Sequence, residues 1–84
     1  MMILVGHDNY IESGLIATIL KPDSSPVKRL RKNASEKGTL VDATSGHKTR
    51  SVLVLTTGQV VLSSLQPETV KVRVDGANRK HLRE

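Results

Sequence analysis

Short runs of Val, Ile and Leu, each bounded by turn residues, dominate the chain, and this pattern predicts strands. Met2 to Val5 reads as a first strand and Gly6-His7-Asp8-Asn9 as a turn. Tyr10 to Glu12 and Leu15 to Leu20 read as strand interrupted near Ser13-Gly14, where glycine permits a bulge. Lys21-Pro22-Asp23-Ser24-Ser25-Pro26 punctuates the chain, with Ser25 as a helix cap and Pro26 at the first helical position. The helix runs from Pro26 to Lys37 and stops at Gly38. Its apolar stripe, Val27, Leu30 and Ala34, is narrow, so the helix is expected to rest on a sheet.

Thr39 to Thr44 is strand-like, and Ser45 to Thr49 is a polar, basic loop. Ser51-Val52-Leu53-Val54-Leu55 is apolar at consecutive positions, which predicts a strand covered on both faces. Thr56-Thr57-Gly58-Gln59 marks a hairpin, and Val60 to Leu65 is the returning strand. Pro67 and Glu68 suit a helix start, although Val70, Val72 and Val74 alternate as in a strand; a short helix near 67–73 is expected. Residues 75–84 lack an apolar pattern and are expected to form a flexible basic tail after a single domain over 1–74. The expected class is α+β: a small antiparallel β-sheet with one main amphipathic helix.

Composition narrows function more than fold. With 84 residues, a lone domain buries only about 63% of its unfolded surface. The many aliphatic strands and open sheet edges therefore favour a homo-oligomer. The absence of cysteine excludes disulfides, Cys-ligated zinc and thiol catalysis. Tyr10 is the only aromatic residue, so the chain has no platform for stacking single-stranded bases. No apolar run is long enough to span a membrane and no leader is legible, which makes the cytoplasm the expected location, and the DNA-binding reading below puts it at the nucleoid.

The net charge of +5 is uneven. Residues 26–50 carry Lys28, Arg29, Arg31, Lys32, Lys37, Lys48 and Arg50 against Glu36 and Asp42, so this third alone equals the net charge of the chain. Basic side chains with small hydroxyl residues on an exposed loop suit the phosphate backbone of duplex DNA. The same cluster also fits a solvated face on a module that binds protein. Enzymatic readings are weaker. Asp42, Ser45 and His47 are close in sequence, but proximity along the chain does not define a triad. The spacing of His7, His47 and His81 matches no metal site, and Gly46-His47-Lys48-Thr49 lacks the glycine spacing and ending of a phosphate-binding loop. No catalytic residue, cofactor, metal or small-molecule substrate is expected.

Four segments carry a resemblance: Ser24-Ser25-Pro26-Val27-Lys28-Arg29, Gly38-Thr39-Leu40-Val41-Asp42-Ala43-Thr44, Gly46-His47-Lys48-Thr49-Arg50, and Leu62 through Val70 with its Gln66-Pro67-Glu68-Thr69-Val70 core. In order and spacing they resemble the RemA family of bacterial regulators of extracellular-matrix genes, over roughly residues 3–74. The resemblance implies a DNA-binding transcription regulator of biofilm matrix genes. It also implies subunits like the LytTR-type DNA-binding domain, assembled as a homo-oligomeric ring whose basic rim contacts DNA. On that basis His47, Lys48, Thr49 and Arg50 are the expected DNA-contacting loop, joined by Lys28, Arg29, Arg31 and Lys32 on the helix. The chain departs from the family pattern at Leu15, His47 and Lys48, where the family carries arginine. Lys48 keeps charge without the planar fork of arginine. Two other readings are a ring-shaped adaptor with a protein partner and a nucleic-acid-binding protein without sequence preference.

Overall fold

The structure, a computed structural model, describes the backbone of residues 1–83 and the side chains of residues 1–77. Six strands and two helices follow in the order β1 (Met2–Gly6), β2 (Asn9–Glu12), β3 (Ile16–Leu20), α1 (Ser25–Lys37), β4 (Leu40–Asp42), β5 (Ser51–Leu55), β6 (Val60–Ser63) and α2 (Pro67–Arg83). They form two sheets: the β1–β2 hairpin, and a four-stranded sheet in the order β3-β5-β6-β4.

The interruption at Ser13-Gly14 is therefore not a bulge within one strand. A 3₁₀ turn over Ser13–Leu15 carries the chain from one sheet to the other. Nor is the larger sheet purely antiparallel, because β4 pairs parallel with β6. The reason lies in α1, whose 13 residues carry the chain across the sheet face, so that β4 emerges at the far edge running in the direction of β3.

Helix α1 starts one residue earlier than the sequence predicts. Ser24, not Ser25, is the cap, its Oγ accepting the Val27 N–H at 3.3 Å. At the other end Gly38 adopts φ 75°, and Thr39 N–H reaches Ala34 O at 2.9 Å, closing the helix with a Schellman motif. Val27 and Ala34 bury against Val52, Val60 and Leu62, with Leu20, Leu30 and Leu40 at the margin.

The opposite face of the same sheet presents Leu53, Leu55 and Val61 to Ile3 and Val5 of β1 and to Val70 and Ala77 of α2. The run Ser51–Leu55 is thus covered on both faces, as its unbroken apolar character predicts. Helix α2 runs well past residue 73, so residues 75–83 are helical and the regular structure does not end at 74. Val70, Val74 and Ala77 share the face that meets the core, while Val72 stays exposed. Arg73 fastens this helix to the hairpin by donating to Leu4 O at 2.6 Å. The side chains of Arg79, Lys80 and Arg83, which make the expected tail basic, lie outside the described residues, as does all of Glu84.

Strand β1 carries a register shift between Leu4 and Gly6, which leaves Val5 outside the hairpin ladder. Ser63 on β6 meets that irregularity, with its Oγ donating to Val5 O at 2.6 Å and accepting Leu65 N–H at 3.1 Å. The two sheets are therefore joined by a fully buried hydroxyl as well as by apolar packing.

Candidate nucleic-acid interface

The loop between β4 and β5 is organised from its first residues. Asp42 Oδ1 accepts both the Thr44 N–H at 2.9 Å and the Thr44 hydroxyl at 2.6 Å. This is the local turn that aspartate favours two residues before a free N–H. The Thr44 hydroxyl and then its N–H hold the Asp42 carboxyl below the ordinary aspartate range against the opposing effect of burial, with the charge of Arg31 as the least of the causes. A tight turn follows, with His47 N–H donating to Thr44 O at 3.0 Å across Ser45 (φ 52°) and Gly46 (φ 83°).

A second turn clamps the first. His7 and Asp8, between β1 and β2, also take positive φ, 46° and 66°. The Asn9 amide beside them lies 2.9 Å from Ala43 O, 3.1 Å from Gly6 O, 3.2 Å from His7 O and 3.3 Å from Ser45 Oγ. The His7 and His47 rings stack face to face, with centroids 3.7 Å apart and planes 4° from parallel.

Beyond His47 the chain passes through Lys48 and Thr49 to Arg50, whose N–H donates to Ser63 O at 2.8 Å and so pins the loop to β6. Lys48, Thr49 and Arg50 line an open cleft of about 270 Å³ with Lys21, Pro22 and Asp23 at the end of β3 and Gln66, Pro67 and Glu68 at the start of α2. Three cations face two carboxylates there, and among the described residues none of the three enters an ion pair.

The eight expected contact residues separate into two groups. Lys48, Thr49 and Arg50 come together in the cleft, and His47 sits beside them on the His7 stack. Lys28, Arg29, Arg31 and Lys32 lie on α1 and do not line that cleft. At about 100° per residue, Lys28, Arg31 and Lys32 share one flank of the helix while Arg29 lies nearer Glu36. Arg31 is half-buried and acts on Asp42, so that flank adjoins the β4 end of the loop. Leu15 is in the 3₁₀ turn, away from the cleft.

Sequence reasoning missed Lys21, His7 and Asn9. Asn9 directly after the two-residue turn His7-Asp8, and Asp42 two before Thr44, are local signals. Lys21 has none, since it reaches the cleft only because β3 lies beside β5. No triad forms from Asp42, Ser45 and His47: Asp42 is engaged by Thr44, Ser45 lies against Asn9, and His47 stacks on His7. Among the described residues no cluster of three His, Cys, Asp or Glu side chains is placed to hold a metal, and the His81 side chain lies outside them. No helix among them is long and apolar enough to cross a membrane.

Comparison with known proteins matches residues 2–74 to the family model described as RemA-like, extracellular matrix regulatory protein A-like. A protein of Dictyoglomus turgidum named "Putative regulatory protein" is 44% identical over 79 residues, which cover 94% of this chain and 93% of that protein. One of the same name from Geobacillus thermodenitrificans is 47% identical over 74 residues, 88% of this chain and 85% of the relative. Another from Finegoldia magna is 43% identical over 76 residues, 90% and 92% of the two chains.

Proposed function

The chain belongs to the RemA-like family, and from that premise we propose that it is a transcription regulator that binds duplex DNA. The observation that carries this reading is the gathering of Lys21, Lys48 and Arg50 along one open cleft, beside the stacked His47 and the hydrogen-bonding Thr49. These are the groups that phosphate contact requires. The chain offers no ring platform for unpaired bases, since its single aromatic, Tyr10, lies on β2 away from this cleft. Lys28, Arg31 and Lys32 extend the positive surface along α1, and Arg29 adds to its outer side.

The subunit works as part of a LytTR-like homo-oligomeric ring. Support for assembly comes from the edges of the larger sheet, where β3 and β4 each lack a neighbour on the outer side among the described residues. Exposed Tyr10 and Val41, with Ile11, Leu55 and Val61, line an open depression beside the β4 edge. A ring repeats the cleft around its rim, so weak subunit contacts act together at high effective concentration.

Asp23 and Glu68 in the cleft favour a second reading, in which a protein carrying both charge signs docks there. Fluorescence anisotropy on labelled duplex DNA separates the two. Lys21→Ala, Lys48→Ala and Arg50→Ala should each weaken binding similarly across DNA sequences, while Lys71→Ala, at an exposed base paired with Asp75 on α2, should not. Wild-type protein that ignores DNA at about 50 mM salt defeats the proposal and leaves the protein-partner reading. Competition with an RNA duplex tests the preference for DNA.

A further inference from the structure

The cofacial pair of His7 and His47 is not used by the charge argument above, yet it sits at the root of the basic loop. Position 7 is one of two central residues in a tight hairpin turn, both at positive φ, where glycine or asparagine fits with less strain than histidine. A bulky ring held in such a backbone points to work done by the side chain. What it touches is a ring 40 positions on along the chain, 3.7 Å away and within 4° of parallel. Ser45, Gly46, His47 and Lys48 are all exposed, so little apolar packing holds this stretch. Its supports are the Asn9 amide, the Asp42–Thr44 turn, the backbone bonds of His47 N–H to Thr44 O and Arg50 N–H to Ser63 O, and this stack. Only the stack bears on the His47 side chain, and His47 immediately precedes Lys48, Thr49 and Arg50.

We propose that His7 is a positioning residue for the nucleic-acid contact. Its ring is the shelf on which His47 lies, fixing the direction in which the chain leaves the turn and therefore where Lys48 points, ahead of the Arg50 anchor on β6. His7 need not touch the ligand to do this. The inference rests on the DNA-binding reading for its functional consequence, while the positioning itself is visible in the free protein.

The experiment compares His7→Ala, His7→Phe, His47→Ala and the double alanine variant of the full chain. Duplex affinity is measured by anisotropy, and the free protein is observed by NMR. Removing a stacked aromatic partner should cost about three- to tenfold in affinity. His7→Ala should show that loss with a melting temperature within about 4 °C of wild type, because both rings are exposed and the Asn9 bonds remain. His7→Phe, which restores a flat ring, should bind within about twofold of wild type, and His7→Ala should add little in the His47→Ala background. In the free protein, His7→Ala should remove the ring-current shift of the His47 protons and lower the order parameters of residues 45–49. Wild-type affinity in His7→Ala, failure of His7→Phe to rescue, or additive losses in the double variant overturn the proposal. If wild-type protein does not bind DNA, the DNA-binding reading fails on its own. Unchanged His47 shifts and loop order in His7→Ala then overturn the positioning role, whereas their loss upholds it.

Discussion

Asn9 is the sharpest single point at which fold and candidate interface meet, and replacing it with aspartate tests how the two turns are held. The amide carries two N–H donors and faces four oxygens. The shortest separations, to Ala43 O at 2.9 Å and Gly6 O at 3.1 Å, define the two bonds it makes best. At about 1 kcal/mol net per bond, Asn9→Ala should lose about 2 kcal/mol. Asn9→Asp removes the same donors and sets a carboxylate against carbonyl oxygens, raising the loss to about 3–4 kcal/mol. A domain of this size holds only about 4–13 kcal/mol in total. At about 4–8 °C per kcal/mol, the alanine variant should melt about 8–16 °C lower and the aspartate variant about 12–32 °C lower.

Acidity separates the two variants further. An aspartate facing carbonyls is favoured in its protonated form, which raises its folded pKa above the unfolded value of about 3.9. A raised carboxylic acid contributes stability that is complete below the unfolded pKa and is lost as pH rises through the folded one. Asn9→Asp should therefore recover part of its deficit between pH 7 and pH 4, and Asn9→Ala should not. Circular dichroism melts at one fixed protein concentration provide the assay, because assembly makes melting concentration-dependent. An Asn9→Asp protein that melts within about 2 °C of wild type would show that the amide does not join the turns.

Two further outcomes follow from the same loops. Gly6 has φ 124°, and a Cβ there would run into Ser64 Oγ, whereas Gly46 has φ 83° with open space around it. Gly6→Ala should cost about 2 kcal/mol or more in urea unfolding and Gly46→Ala about 1 kcal/mol; equal losses would contradict the crowding at Gly6. Because the Asp42 carboxyl is held below its ordinary range, its contribution is present above the unfolded pKa of about 3.9 and fades as pH falls through its lower folded value. Thr44→Val, which removes the first cause of that lowering, should cost a few tenths to about 1 kcal/mol at pH 7 and flatten the acid loss. Urea midpoints that fall in parallel with wild type between pH 5 and pH 2 would refute this.

Much of the fold was legible because local and tertiary preferences agree. The strand runs, the proline and glycine limits of α1, and the two-sided burial of Ser51–Leu55 all follow from patterns within a few residues. What was not legible depends on partners far along the chain. The parallel pairing of β4 with β6 is decided by where α1 delivers the chain. The length of α2 is concealed because Val70, Val72 and Val74 alternate, and only the packing of Val70, Val74 and Ala77 on the sheet selects the helical reading. The site follows the same rule. The loop at 47–50 was visible as consecutive basic and hydroxyl residues. Lys21 entering its cleft, and His7 meeting His47, depend on strand pairing and on two turns brought together across the molecule.

The salt dependence of duplex binding by the full chain is the most direct test of the basic cleft as a DNA contact. The logarithm of the association constant should fall linearly with the logarithm of salt concentration, by about 0.9 per phosphate neutralised. Arg50→Ala and Lys48→Ala should each lower the steepness by about 1 for every cleft engaged. Binding that is absent at about 50 mM salt, or that persists unchanged as salt rises to about 200 mM, would contradict it.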